Sequence, residues 1–365
     1  MASVLDKRKV VLGMSGGVDS TTAALLLKEQ GFEVIAFWFD VIGGNESGRQ
    51  TAYQAAKELN VAFYDRDVSS VFSQIVISNF CNEYLNGRTP NPCILCNPTI
   101  KFKYLLELAD EIGAYYIATG HYAKTQYCEE DGIWHIKKAV NEQKDQSYML
   151  YRLGQGAISR LLLPLEDFAS KQDVRGIARE KNLQNADLKD SQEICFIPKG
   201  QSYIDYIKEI HLTNKIGQTK IKFGNFIDAS GKVMAQHQGL INYTIGQRKG
   251  LGVTFGKPRF VTRINPSDNT VTLGSNEDLF TNCIISKDNY FSGYGTELPA
   301  HLENVPVMIK IRYTAKPVAA VLKRLPDGQV EADFQEKQRA ATPGQSMVFY
   351  LKDFVVGGGV IEGEM

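Results

Sequence analysis

Two rhythms of apolar and polar positions alternate over about the first 200 residues. Short apolar runs at Lys9–Met14, Phe32–Phe39, Val61–Tyr64 and Tyr115–Thr119 are separated by helical periodicity over Thr21–Gln30, Thr51–Leu59, Val68–Leu85 and Lys101–Ile112. That alternation predicts an α/β fold, a doubly wound parallel sheet with crossover helices. Gly31 follows the first helix directly, as a C-terminal stop. Tyr122–Cys128 and Ile133–Ala139, joined by Glu129-Glu-Asp-Gly132, read as a β-hairpin, and helical patterns resume to about Lys181. Past His211 the periodicity disappears, glycines become frequent, and β-branched or aromatic runs recur between turns. The expected organisation is a catalytic α/β domain over residues 1–211, a small central β domain over 212–269, and a C-terminal β-barrel over 270–365. Val271–Leu273, Val307–Tyr313, Val318–Leu322 and Ser346–Tyr350 are expected strands of that barrel.

With 43% hydrophobic and 22% charged residues and no low-complexity tract, the 365-residue chain is expected to be globular rather than disordered or fibrous. No run of ~18 apolar residues occurs, so no membrane span is expected. Met1-Ala-Ser-Val-Leu-Asp-Lys-Arg-Lys9 lacks the apolar core of a signal peptide, and a cytoplasmic location is expected. The net charge is zero, from 41 basic and 41 acidic residues, but the charges are segregated. Ala229–Ser267 contains no acid while holding Lys232, Arg248, Lys249, Lys257, Arg259 and Arg263; Lys310–Arg324 is likewise acid-free with Lys310, Arg312, Lys316, Lys323 and Arg324. Such stretches serve either as phosphate-tracking surface or as solvated strand faces.

The densest chemistry is Gly13-Met14-Ser15-Gly16-Gly17-Val18-Asp19-Ser20, between the first strand and the first helix. There, backbone N–H groups of Gly16 and Gly17 and the helix N-terminus favour an anion, and Ser15 and Ser20 add hydroxyls. Asp19 would repel a bare phosphate and suits a position beside Mg2+ or a helix cap. Neither the Gly-Lys-Ser/Thr end of a P-loop nor a Gly-x-Gly-x-x-Gly is present. Ser15–Ser20 resembles the pyrophosphatase loop of the ATP-dependent N-type synthetases, which cleave ATP between its α and β phosphates.

Six cysteines are too few for a disulfide scaffold in a chain of this length. Cys93 and Cys96 form a Cys-x-x-Cys, but a zinc site would need two further ligands, and neither a second such motif nor a matching histidine pair exists. A sulfur-handling role suits them better, since a persulfide passed on by one thiol needs a second to resolve it. Cys81, Cys128 and Cys283 lack polar motifs and read as packing residues.

Together with Arg88-Thr-Pro-Asn-Pro92, Ile100-Lys-Phe102, Gly120-His-Tyr-Ala123, Lys144-Asp-Gln-Ser147, Ile194-Cys-Phe196, Gly246-Gln-Arg-Lys-Gly-Leu-Gly252 and Ile311-Arg-Tyr313, these motifs closely resemble the tRNA-specific 2-thiouridylase family over almost the whole chain. The resemblance implies ATP-dependent 2-thiolation of the wobble uridine (position 34) of tRNA, with Mg2+, and with release of AMP and pyrophosphate. It implies Cys96 as nucleophile and Cys195 as persulfide carrier. ATP would lie at Gly13–Ser20, Phe39 and Gly120; the target base at Asn91, Pro92 and Cys93; tRNA at Lys144, Asp145, Gln146, Arg312 and Tyr313. A cysteine desulfurase or sulfur-relay protein would supply the persulfide. The sequence differs from relatives in Cys93, where some carry Asp, in a short Val41–Gln50 loop, and in Glu193, where many have Gly. Two alternatives remain open: Cys93, Cys96 and Cys195 as ligands of a 4Fe–4S cluster, or an amide-forming ligase that binds no RNA.

Overall fold

The structure is a computed structural model that describes residues 5–188, 194–213 and 221–363. The chain divides into two compact units, one of Met1–Ile75, Cys93–Phe196 and Asp353–Val356, the other of Val76–Pro92, Ile197–Lys352 and Gly357–Met365.

The first unit holds a five-stranded parallel sheet of β1 (Asp6–Gly13), β2 (Glu33–Asp40), β3 (Ala62–Asp67), β4 (Ala114–Ala118) and the two-residue β7 (Leu161–Leu162), in the order β3-β2-β1-β4-β7. Buried parallel strands are apolar throughout rather than alternating, which is why Val10, Val11 and Leu12 pair in register with Val34, Ile35 and Ala36 on one side and with Tyr116, Ile117 and Ala118 on the other. Small residues on α1 (Val18–Glu29) and α2 (Glu46–Glu58), among them Ala23, Ala24, Ala52, Ala55 and Ala56, pack into the same core as Val10, Leu12, Val34 and Ala36. α2 begins five residues before its expected start. Asp40 accepts from the N–H groups of Ile42, Gly43 and Asn45, and Asn45 caps the helix by accepting from Gly48, so the short loop after β2 is largely turn and helix. Strand order reverses between β1 and β4. A crevice outside the carboxyl ends of strands at such a switch point is where open α/β sheets bind ligands.

The helical stretch α3 covers residues 69–85 with π geometry over Ser73–Ile77, and α4 covers residues 92–111 with π geometry over Asn97–Lys101. α4 starts earlier than its apolar periodicity suggests, because Pro92 has a fixed φ that suits a first helical position. The expected hairpin is present as β5 (Lys124–Cys128) and β6 (Ile133–Lys137), and β6 pairs with Phe354. α5 (Lys171–Glu180) opens on a capping box between Ser170 and Asp173.

In the second unit, after α6 (Tyr203–Leu212), β8 (Gly224–Ile227), β9 (Val233–His237), β10 (Phe260–Asn265) and β11 (Thr270–Gly274) form a four-stranded sheet around Phe226, Tyr243, Val261, Val271 and Leu273. The Val271–Leu273 strand, expected in the barrel, pairs instead with β10 and β8. Six strands, β12 (Phe280–Tyr290), β13 (Pro306–Lys310), β14 (Val318–Arg324), β15 (Val330–Arg339), β16 (Ser346–Leu351) and β17 (Phe354–Gly363), close into a barrel in the order β12-β15-β14-β13-β16-β17, with β17 pairing back to β12. Closure leaves no unpaired edge.

Candidate active site

The loop after β1 is tied down residue by residue. Met14 N–H donates to the Phe37 carbonyl at 2.8 Å, Ser15 N–H to the Ser20 hydroxyl at 3.2 Å, and Gly17 N–H to the Ser15 hydroxyl at 3.3 Å. Ser20 donates back to the Gly17 carbonyl. Gly17 stands at the N-cap of α1 without any side-chain cap, so the first-turn N–H groups point outward as an anion cradle. Gly16 has φ +78°, and a Cβ there would lie 2.8 Å from the Thr51 backbone; only glycine suits both conditions. Gly120, after β4, approaches so closely that a Cβ would sit 2.9 Å from the Asp19 carbonyl carbon and the Ser20 nitrogen. Phe39 is half-buried, its ring facing Gly13.

Asp19 is not the helix cap. Its Oδ1 accepts from the Tyr122 hydroxyl and its Oδ2 from the Lys171 ammonium, both at 2.8 Å. Asn185 donates to the Gly16 carbonyl at 2.8 Å and to the Thr21 hydroxyl at 2.5 Å. Sequence reasoning misses these three partners. Tyr122 lies in a quoted motif, but Lys171 is 152 residues from Asp19 and Asn185 is 169 from Gly16, without local signal.

The thiols lie elsewhere in the same unit. Cys96 is on α4 immediately before its π turn, and the buried Asn97 anchors that turn by donating to the Met149 carbonyl at 2.8 Å. Cys195 is exposed, and the buried Phe196 beside it packs edge-on against Phe72. All six cysteines are free. Surrounding protein nevertheless desolvates both sulfurs. Burial, reinforced by the nearby Cys96 and Cys93, pushes the Cys195 thiol up to about 12. Burial also raises Cys96, with Lys101 opposing the shift. Nothing in the sequence foretells that Lys101 acts on both thiols. It also faces His121, whose imidazole desolvation holds well below its usual range and whose Nδ1 lies 2.8 Å from the Thr119 hydroxyl. Asp190–Glu193, including the Glu193 difference, lie outside the described residues.

The RNA-contact candidates divide. Asp145 is buried and accepts from Ala139 N–H, Ser147 N–H and the Ser147 hydroxyl. Gln146 exchanges hydrogen bonds with the Tyr122 backbone, so both residues hold the loop that bears Tyr122, while Lys144 is half-buried. In the second unit Arg312 donates to the Ala340 carbonyl and to Thr342, and Lys310 lies over the Tyr313 ring. Lys323 pairs with Glu331 and Asp333, and Arg324 with Glu297, so acids from outside the second acid-free segment balance these two of its five cations. The first keeps Lys232, Arg248, Lys249, Lys257 and Arg263 exposed. Arg88 bonds Glu83 and Glu362, and Gln345 donates to the Thr89 carbonyl, which fixes the segment leading to Asn91 and Pro92 within that unit.

Comparison with known proteins yields a consistent set of matches. Residues 8–199 match the model described as tRNA methyl transferase HUP domain, 211–275 the tRNA methyl transferase PRC-barrel domain, and 282–361 the aminomethyltransferase beta-barrel domain. The chain is 45% identical to a tRNA-specific 2-thiouridylase of Clostridioides difficile, over 97% of this chain and 98% of the relative. It is 44% identical to one of Clostridium perfringens, over 98% and 99%, and 45% identical to one of Caldanaerobacter subterraneus, over 97% and 98%. Neither the 4Fe–4S cluster nor the amide ligase finds support in these matches. Among the described residues no helix is long and apolar enough to cross a membrane.

Proposed function

We propose that this chain, which belongs to the tRNA-specific 2-thiouridylase family, uses ATP to replace O2 of the tRNA wobble uridine with sulfur. The observation that carries the proposal is the pairing, in one unit, of an anion cradle over Ser15–Ser20 with two electrostatically coupled thiols, Cys96 and Cys195. O2 of uridine is a poor leaving group. Attack of O2 on the α-phosphorus releases pyrophosphate into the cradle and converts the oxygen into the leaving group AMP. Mg2+ accompanying ATP would neutralise the departing charge, and Asp19, whose two oxygens each accept one hydrogen bond and keep a second lone pair, is the acidic residue of the loop that would face it.

Cys195 carries the sulfur as a persulfide received from a donor protein. Its terminal sulfur attacks carbon 2 and AMP leaves with the C–O bond electrons; Cys96 then attacks the Cys195 sulfur, freeing the 2-thiouridine and leaving a Cys96–Cys195 disulfide. An external thiol reduces that disulfide. Alternatively Cys96 attacks the inner sulfur first and liberates sulfide as the nucleophile. Burial keeps the resting Cys195 thiol protonated; to take up sulfur it gives up that proton as it attacks the outer sulfur of the donor persulfide and the donor thiolate leaves, and the persulfide so formed is more acidic than the thiol it replaces. Lys101 sits where it favours the anion.

Asn91, Pro92 and Cys93 are assigned to the target base, which must leave its stack at a cost of a few kcal/mol. Phosphate contacts offset that cost: they are assigned to Lys144 and to the exposed Lys232, Arg248, Lys249, Lys257 and Arg263, with Arg312 and Tyr313 shaping the barrel end of the RNA surface. Mass spectrometry of the wobble nucleoside after incubation with tRNA, ATP, Mg2+ and a persulfide source tests the proposal. A gain of one sulfur for one oxygen is expected; unmodified uridine under both aerobic and anaerobic conditions rejects it.

A further inference from the structure

One side-chain cluster takes no part in this chemistry. Cys128 ends β5, Asp131 stands in the turn, and His135 lies on β6, so that a sulfur, a carboxylate oxygen and an imidazole nitrogen come within 4.8 Å of one another. Cys128 reads as a packing residue in the sequence, yet its thiol is half-buried and hydrogen-bonded to Asp131. The His135 ring is 4% exposed; its Nε2 lies 2.8 Å from Asp131 Oδ2, and its Nδ1 is buried with no hydrogen-bond partner. Desolvation works against the Asp131 charge, but bonds from His135, the Ile133 N–H and Cys128 hold its carboxyl below the usual range.

We propose that Cys128, Asp131 and His135 bind one borderline divalent transition-metal ion, zinc being the best match. A thiol and an imidazole that share one carboxylate are the arrangement expected where two protons take the place of a cation. Sulfur, nitrogen and one carboxylate oxygen suit Zn2+ and exclude Mg2+ and Ca2+, which take oxygen ligands in greater number. Three protein ligands leave a fourth position for solvent. The ligands are seven residues apart at most, and β5 and β6 are in register from Lys124↔Lys137 to Cys128↔Ile133. Gln155 clamps β6 by accepting from Trp134 N–H and donating to the Trp134 carbonyl, and Phe354 packs against the His135 ring. The site is therefore held before any ion arrives. On binding, the Cys128 thiol proton passes to solvent, and the proton between His135 Nε2 and Asp131 is displaced to Nδ1 as Nε2 takes the ion.

The test is a titration of the full chain, stripped by chelator and kept reduced, with Co2+ as the probe and Zn2+ as competitor. To exclude the reactive thiols, the same titration is run on a Cys93→Ser, Cys96→Ser, Cys195→Ser triple variant. The expected result is one Co2+ per chain in the triple variant, with sulfur-to-cobalt charge-transfer absorption that Zn2+ abolishes. Cys128→Ser should lose that absorption, and the turn variant Asp131→Asn, which leaves the buried histidine in place, should bind at least tenfold more weakly. Absorption that survives Cys128→Ser but vanishes in the triple variant, or no absorption in either, overturns the proposal.

Discussion

The anion loop and the thiol pair share one unit but are held in opposite ways. Around the loop the side chains are tied down while the first-turn N–H groups stay open: Asp19 bonds Tyr122 and Lys171, the Gly16 carbonyl bonds Asn185, and Ser15 and Ser20 bond each other and the loop backbone. Around the thiols the helix relaxes into π geometry just after Cys96, and Cys195 stands on an exposed stretch anchored chiefly through Phe196. The difference matches the chemistry proposed for each region. Charge stabilisation works best when dipoles are fixed before the reaction, whereas sulfur relay requires two sulfurs to approach, bond and separate.

The largest expected effects separate the two regions by reaction step. Cys195→Ser should abolish thiolation while adenylation of tRNA continues, and intact-mass analysis after donor treatment should show no sulfur adduct. Cys96→Ser should abolish turnover yet keep the adduct; equal loading of both variants would defeat the two-thiol scheme. Gly16→Val should reverse the pattern. A valine at φ +78° costs about 1–3 kcal/mol in strain before its contact with Thr51 is counted, so adenylation should fall at least about 100-fold with sulfur loading intact. Loss of both activities together would erase the contrast between the regions.

Asn185→Ala should weaken the loop less. It leaves the Gly16 carbonyl and Thr21 hydroxyl short of a donor at roughly 1–3 kcal/mol, and kcat/KM for ATP should drop roughly tenfold. For the thiols, peptide mapping of iodoacetamide labelling should show Cys195 modified slowly at neutral pH, its rate rising about tenfold per pH unit to pH ~10, as a thiol near 12 requires. Lys101→Met should slow labelling further, and a midpoint near pH ~8 would contradict the burial argument. The smallest effect concerns His121. Its depressed folded value means that the unfolded chain binds a proton the folded chain refuses, so stability is complete above about pH 6.5 and is lost as pH falls below it. Replacing it with Asn should remove up to about 1.4 kcal/mol per pH unit from the slope of urea-derived stability in that window.

The anion loop is legible in the sequence because its function is written in consecutive residues: a strand, a glycine turn and a helix start are local events. Cys96 and Cys195 are legible only through family motifs, since nothing local brings residues 99 apart into electrostatic reach. Charge counting along the chain leaves out the partners at Lys310–Arg324, where Glu331 and Asp333 on β15 and Glu297 pair with Lys323 and Arg324. It serves better at Ala229–Ser267, where Lys232, Arg248, Lys249, Lys257 and Arg263 remain exposed. Val271–Leu273 is legible as a strand but not in its sheet, because strand identity follows from side-chain type whereas pairing depends on what the rest of the chain presents.

By itself the sequence determined the α/β order of the first part, the β character of the rest and the glycine-rich loop between strand and helix, all of which rest on neighbours within a few residues, whereas the motif cysteines stand out only through the family resemblance. Only the tertiary structure decided which distant groups complete them: Lys171 and Asn185 on the loop, Lys101 beside the thiols, Asp145 turned inward, and Cys128 brought to His135 across a hairpin. The physical reason is that electrostatics and hydrogen bonding act through space, and the separation that sets their strength comes into being only when the chain closes its long loops.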